Sequence, residues 1–196
     1  MTTRAIILGN GESREGFDYR SNYSDAFVIG CNGAYKESID ALVCTDAYMQ
    51  HLIYETGYCK DHLCFFSEWD PIPDYAVETI AASFNKPIIE NEKIYSTSAQ
   101  VAGSDDYVYV TWVQKNDMVR SIKEKIMSSG SRALELACKM DFDEILLLGF
   151  DGMGAQNIYQ KDKGYERSTP REEWVEERRL IIEQYSHINI IDLQTG

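Results

Sequence analysis

The chain has 196 residues, 44 % apolar and 26 % charged, with a formal net charge of −13 at pH 7. That length and composition fit one globular domain, 1–196, with a real core. The acidic balance argues against nucleic acid or anionic lipid as a bulk partner, while leaving room for an anionic ligand in one local pocket.

No apolar run approaches the roughly 18 residues of a membrane span, and no signal peptide is recognised, so a cytoplasmic protein is expected. The five cysteines, Cys31, Cys44, Cys59, Cys64 and Cys138, are odd in number and include no C-x-x-C pair. They read as small buried apolar residues in a reducing compartment rather than as a zinc site.

In chain order, Ala5–Leu8 is an apolar run that leads into Gly9-Asn-Gly-Glu-Ser13. This reads as a buried parallel strand whose carboxyl end opens toward a helix. The two glycines permit a tight turn and close approach of a ligand to main-chain N–H groups. A helix start there attracts anions, so a phosphate or nucleotide site is expected. Asp25–Gly30 is a second strand and Ala41–Cys44 a third. Asp46 is placed to cap a helix over Tyr48–Thr56. Leu63–Phe66 is a fourth strand, Asp74 would cap a helix over Tyr75–Phe84, and Pro87–Ile89 is another short strand.

From about Ile94 to Lys115 the alternation breaks. The β-prone run Tyr107–Val113 reads as an insertion or edge hairpin near 94–117 rather than a βαβ unit. Edge pairing with a second copy and packing on its own domain fit it equally, so homo-oligomerisation stays open. Ser131–Met140 is a helix with Ala133, Leu134, Ala137 and Cys138 on one face. Glu144–Gly149 contains the clearest buried strand. Gly152–Thr169 is loop-like, and a helix follows Pro170 with Trp174, Val175, Leu180 and Ile181 inward. Ile188–Ile191 is the last strand. The fold expected is α/β: a single-domain, doubly wound, mostly parallel, Rossmann-like sheet with helices on both faces.

Polar residues collect at one edge of such a sheet. The strand and helix ends supply Asn10, Gly11 and Ser13, then Asn32, then Asp46, then Ser129 and Gly130, and finally Gly149 and Asp151. An asparagine amide both donates and accepts, and so reads a sugar hydroxyl or a base edge. A glycine-serine helix start suits an anion. Each residue also has a structural role open to it: Gly-Asn-Gly as a turn, Asp46 and Ser131 as caps, Asp151 as a loop brace.

Several nucleotide motifs fail. The dinucleotide fingerprint wants a third glycine where Arg14 stands, and an acid where Asn32 stands. There is no Gly-Lys-Ser/Thr phosphate loop. Asp141 and Asp143 precede a strand, and Asp105 and Asp106 lie in the insertion, so both pairs read as solvated rather than as a cation site. His51, His62 and His187 are expected at the surface. Tyr159 and Tyr165 fall in the loop after Asp151, where a phenol either donates to a phosphate or packs the loop down.

Together these residues resemble bacterial sialyltransferases that use a CMP-sugar donor. Those enzymes begin Gly-Asn-Gly-Pro-Ser after a strand, matched by Gly9–Ser13. They continue with Arg-Cys-Asn, matched by Gly30-Cys31-Asn32. Later come Ser-Ser-Gly, a helix and a strand ending Gly-Ile-Asp, matched by Ser128-Ser-Gly130 and Gly149-Phe-Asp151. The resemblance spans most of the length apart from the middle. It is similar also to small proteins of unassigned role, some phage-encoded, and to a pterin pyrophosphokinase family.

The resemblance implies that Asn10, Asn32, Ser129 and Gly149–Asp151 hold the nucleotide and its sugar, with no metal and no other cofactor. Of the family's two loop tyrosines, Tyr159 matches the second and would assist departure of the leaving phosphate, while Met153 stands in place of the first. Glu12 and Arg14 also depart from the family's first turn, and no histidine lies between Asp151 and His187. The donor site is implied; sialyl transfer is not. The expectation is a glycosyltransferase-like, metal-independent protein that binds a nucleotide sugar. The alternatives are diphosphate transfer to a pterin, which needs magnesium and a nucleoside triphosphate, and a nucleotide-binding module without catalysis.

Overall fold

A computed structural model of the chain describes residues 2–67, 69, 88–93, 108–112, 117–122, 127–151, 156–162 and 172–193. The strands are β1 (Arg4–Leu8), β2 (Phe27–Cys31), β3 (Ala41–Cys44), β4 (Leu63–Ser67), β5 (Ile88–Lys93), β6 (Val108–Trp112), β7 (Val119–Ile122), β8 (Glu144–Leu148) and β9 (Asn189–Leu193). The α-helices are α1 (Tyr19–Asn22), α2 (Ala47–Glu55), α3 (Ser129–Lys139) and α4 (Glu172–Gln184). The chain gathers into two compact units, residues 1–43 with 127–196, and residues 44–126.

The first unit carries a parallel sheet in the order β3-β2-β1-β8-β9. Ala5 to Leu8 pair with Phe27 to Gly30 on one side and with Ile145 to Leu148 on the other. The sheet winds from β1 through β2 to β3 in one direction and from β8 to β9 in the other. This is the α/β parallel architecture expected. Ala5, Ile6, Ile7 and Leu8 are wholly buried, as are Ile145 and Leu148. A continuous apolar run with no polar alternation is what a strand covered on both faces requires. Helix α3 packs on β1, β2 and β8, and Ala133, Leu134, Ala137 and Cys138 are the side chains it buries. Their spacing repeats with the helical turn, so one stripe faces the sheet.

The second unit carries two parallel pairs. In one, Cys64 to Ser67 of β4 lie beside Val119 to Ile122 of β7. In the other, Ile88 to Asn91 of β5 lie beside Val108 to Thr111 of β6. An insertion or edge hairpin was the expectation near 94–117, with Pro87–Ile89 a separate short strand; among the described residues Val108–Trp112 pairs in parallel with β5, so these two strands do not form a hairpin. Parallel neighbours need a crossover of about a dozen residues, and residues 94–107 separate the two strands.

Three further expectations are corrected. The cap of α3 is Ser128, not Ser131: the Ser131 amide donates to Ser128 Oγ. On α4 only Ile181 is buried, whereas Trp174, Val175 and Leu180 are 38, 42 and 47 % exposed. His51, expected at the surface, is 2 % exposed, with its ring 5.8 Å from that of Trp69. His62 and His187 are exposed. Asp74, the helix over Tyr75–Phe84, Asp105, Asp106, Met153, Tyr165 and Pro170 lie outside the described residues. Among the described residues no helix is long and apolar enough to cross a membrane.

Candidate functional site

The place where the sheet of the first unit reverses its winding lies between β1 and β8, at their carboxyl ends. Open parallel sheets leave a crevice at such a reversal. Here the two strand ends are in close contact. The Gly9 amide donates to Leu148 O at 2.7 Å and the Gly11 amide to Gly149 O at 2.9 Å. A Cβ on Gly9 would lie 2.4 Å from Gly149 O, and one on Gly11 would lie 2.4 Å from Asp151 Cγ. Gly149 has φ +70, a conformation that side chains resist. The glycines therefore let main chain meet main chain.

Asp151 completes the junction. The Ser13 amide donates to Asp151 Oδ2 at 2.8 Å, and Ser13 Oγ donates to Asp151 Oδ1. Free amides were expected at Gly11 and Ser13, ready for a phosphate. Both are instead directed at protein oxygens, one a carbonyl and the other a carboxylate. Asp151 acts as the loop brace that was the plainer of its two readings.

Arg14, which departs from the expected motif, is a central group of this region. Its side chain is 5 % exposed. Nε donates to Gly9 O at 2.6 Å, and Nη1 and Nη2 donate to the two oxygens of Glu37 at 3.0 and 2.8 Å. A bidentate arginine-carboxylate pair is among the stronger polar contacts a protein makes. The Tyr19 hydroxyl donates to the same carboxylate at 3.3 Å. Burial, and then the charge of Glu37, push the Tyr19 phenol up to about 12, so it stays protonated as a donor.

Tyr159 joins this cluster. Its hydroxyl donates to Glu37 Oε1 and accepts from Arg14 Nη2 at 3.1 Å. The expected partner was a leaving phosphate; the structure gives the phenol a carboxylate of the protein. Gln156 to Asp162, the segment that carries it, runs along the end of β1. Asn157 forms an antiparallel bridge with Gly11, and the Ile158 amide donates to Asn10 O at 2.9 Å.

Asn32 and Ser129 meet at the carboxyl end of β2. Ser129 Oγ donates to Asn32 Oδ1 at 2.8 Å. Asn32 has φ 49, a left-handed conformation that asparagine tolerates better than most residues. Helix α3 begins at Ser129 and Gly130, and a Cβ on Gly130 would meet the Phe150 ring at 3.0 Å. Arg178 of α4 donates to Phe150 O at 2.9 Å and stands 5.4 Å from that ring's centroid. Glu177 of α4 accepts from the Ser128 amide and hydroxyl at 3.1 and 2.9 Å. Cys31, next to Asn32, has its thiol pushed up to about 12 by burial, too high for a nucleophile at neutral pH.

Asp46 belongs to the second unit. Its carboxylate accepts from the Met49 amide at 2.9 Å, so it caps α2. Among the described residues no group of histidine, cysteine, aspartate or glutamate is arranged to hold a metal. Asp143 is taken by the amide and hydroxyl of Thr3, which hold its carboxyl below the usual range. Sequence reasoning missed Glu37, Glu177 and Arg178. Glu37 and Glu177 carried one signal, a lone acid beside a strand end or in the middle of an amphipathic helix, which is too common to single out.

No protein-family model matches the chain, and no curated protein matches it. Among solved structures it is similar to a point variant of the α-2,3/8-sialyltransferase CstII, with 16 % identity, 99 % of this chain and 82 % of that one covered, and a TM-score of 0.48. It is similar also to CstII from Campylobacter jejuni in complex with the substrate analogue cytidine-5'-monophosphate, with 16 % identity, 100 % and 81 % covered and a TM-score of 0.47. A third is the monofunctional α-2,3-sialyltransferase Cst-I from Campylobacter jejuni, with 16 % identity, 98 % and 76 % covered and a TM-score of 0.49. At this level the likeness says nothing of activity.

Proposed function

We propose that this chain is a glycosyltransferase-like protein that binds a nucleotide or nucleotide sugar of the CMP-sugar type, without a metal, where β1 and β2 end and α3 begins. The observation that carries the reading is the pairing of Asn32 with Ser129. A left-handed non-glycine residue at a strand end is uncommon even for asparagine, and such positions gather at ligand sites. Ser129 takes up the amide oxygen of Asn32, which leaves the amide hydrogens to donate to an acceptor on a base or ribose. Ser129 and Gly130 open α3, whose dipole favours an anion. Asn10 supplies a second amide at the end of β1.

In this reading the donor phosphate lies toward Ser129 and Gly130, since the Gly11 and Ser13 amides are engaged within the protein. Tyr159 serves the leaving phosphate only if its hydroxyl exchanges Glu37 for the ligand. That requirement favours a second reading, a nucleotide-binding module that lacks turnover.

Calorimetric titration with CMP, UDP, ATP and GDP, each with and without magnesium, tests the proposal. Binding of CMP in the absence of magnesium supports it. Binding of a triphosphate only with magnesium points instead to diphosphate transfer, and no binding at all removes the nucleotide reading. Release of CMP from a CMP-sugar then separates the enzyme from the module. If turnover occurs and Tyr159 acts in it, Tyr159→Phe slows it roughly 10²–10³-fold.

A further inference from the structure

We propose that Cys59 and Cys64 are an oxidation site, a buried dithiol placed to close into an intramolecular disulfide when a small disulfide oxidant is present. The site lies in the second unit and does not draw on the nucleotide reading. All five cysteines are free and buried, and this pair differs from Cys31 and Cys138 in its neighbours. The Cys59 and Cys64 thiols hydrogen-bond to one another. Beside Cys31 and Cys138 the charged neighbours are Arg14 and Glu135 rather than a second thiol.

Main chain sets the pair in place. Cys59 lies in a 3-10 turn over Tyr58–Lys60, and Cys64 is the second residue of β4. Met118, just before β7, joins them. Its amide donates to Cys59 O at 2.8 Å, and its carbonyl accepts from the Cys64 amide at 2.8 Å. Three stretches of backbone are thus held side by side, with Cys59 1 % and Cys64 0 % exposed. A disulfide needs its Cα atoms within about 7 Å and its Cβ atoms turned toward each other. Two thiols already in contact on anchored chains meet that need with little movement. Closure gives up the bond from Cys64 Sγ to His62 O at 3.3 Å. Cys44, at the end of β3, is a third thiol nearby, but its Sγ donates to Asp46 O at 3.5 Å.

The hydrogen bond to Cys59, and then burial, raise the Cys64 thiol above its ordinary range, so the folded pair stays protonated and slow to react. Reagent meets it when the turn opens. A thiolate then attacks the oxidant disulfide, and the second thiolate resolves the mixed disulfide. One S–S bond forms in the protein and two S–H bonds break. The oxidant leaves as two thiols, which carry off the two electrons and two protons. The new bond is covered by the same core that covered the thiols.

Because access is slow, the test is an equilibrium. The full chain is held in glutathione redox buffers, both folded and in concentrated urea, and approached from the reduced chain and from chain refolded with oxidant. Alkylation and peptide mapping then locate the bond. Cys59–Cys64 is expected as the linkage in the folded chain, with Cys31, Cys44 and Cys138 alkylated. Its equilibrium constant should be roughly tenfold or more above that in urea, since a fold that fits a disulfide favours its formation as much as the disulfide favours the fold. Cys44→Ala should leave closure intact. A constant no higher in the folded chain overturns the proposal. So does a folded-state bond from Cys44 to either partner, or loss of closure in Cys44→Ala.

Discussion

Ser129 Oγ donates to Asn32 Oδ1 at 2.8 Å across 97 residues of sequence. The bond ties the start of α3 to the end of β2 and fixes which end of the asparagine amide is left to donate. Two residues picked out by motif alone are thereby in contact.

Replacing Asn32 with glycine separates the backbone from the amide. Glycine adopts φ 49 without strain, while the buried Ser129 hydroxyl loses this acceptor, so the two effects oppose each other and Asn32→Gly should change the unfolding free energy by no more than about 1–2 kcal/mol. CMP affinity measured by calorimetry should fall roughly tenfold to a hundredfold, the usual effect of one lost bond to a charged or polar ligand group. Full affinity in Asn32→Gly would remove Asn32 from the site.

Asp151→Ala leaves the Ser13 amide and hydroxyl without their carboxylate. Half-buried donors stripped of a charged partner cost about 1.5–3 kcal/mol. The expected result is a lower urea midpoint with an unchanged slope, meaning altered stability without altered compactness. A midpoint equal to wild type would show that water replaces Asp151 at no cost.

Gly11→Ala and Gly16→Ala test why the turn carries glycine. A Cβ at Gly11 would stand 2.4 Å from Asp151 Cγ and 2.7 Å from Gly149 O, whereas a Cβ at Gly16 meets nothing within 4 Å. Crowding at Gly11 should cost about 1–3 kcal/mol or more. At Gly16, φ +76 is the sole penalty, about 1–2 kcal/mol. Denaturant unfolding that shows the Gly11 variant no worse than the Gly16 variant would contradict the close contact of β1 and β8.

Asp192 of β9 predicts a pH dependence. Asp192 is exposed as a residue, but partial burial of its carboxyl, with a smaller contribution from the charge of Asp151, raises the carboxyl above the usual aspartate value, and the charge of Arg178 opposes the shift, so the effect on stability is small. The folded state therefore holds this proton more tightly than the unfolded chain. Stability from this group is intact below the unfolded value and is lost as pH rises from there through the folded one. Asp192→Asn should raise the thermal midpoint at pH 7, and the gain should vanish in acid below the ordinary aspartate range. A gain that persists there would assign the effect to something other than ionisation.

The strands of the first unit could be read from the chain because each is a short, unbroken apolar run ended by glycine or a polar residue. Ala5–Leu8 and Glu144–Leu148 are too short for a typical buried helix and end at glycine, which favours a covered strand. The cap at Asp46 was equally local. What escaped was set by distant partners. Arg14 looked like a lost glycine, and becomes intelligible only with Gly9 O behind it and Glu37 beside it. His51 is polar by type, yet it is buried against Trp69, 18 positions on. β7, reading Val-Arg-Ser-Ile, is too short and mixed to stand out until it pairs with β4. Trp174, Val175 and Leu180 misled for the opposite reason: apolar residues at helical spacing need not all be covered.

The register of β1 against β8, Arg4 beside Glu144 and Leu8 beside Leu148, has a consequence for biosynthesis. β1 leaves the ribosome well before β8, and the edge of β1 that pairs with β8 stays unsatisfied until Leu148 has been made. At about 5–20 residues per second that is on the order of ten seconds. Throughout that interval the nascent chain displays an apolar strand with an open edge, the feature most apt to recruit a chaperone or a neighbouring polypeptide.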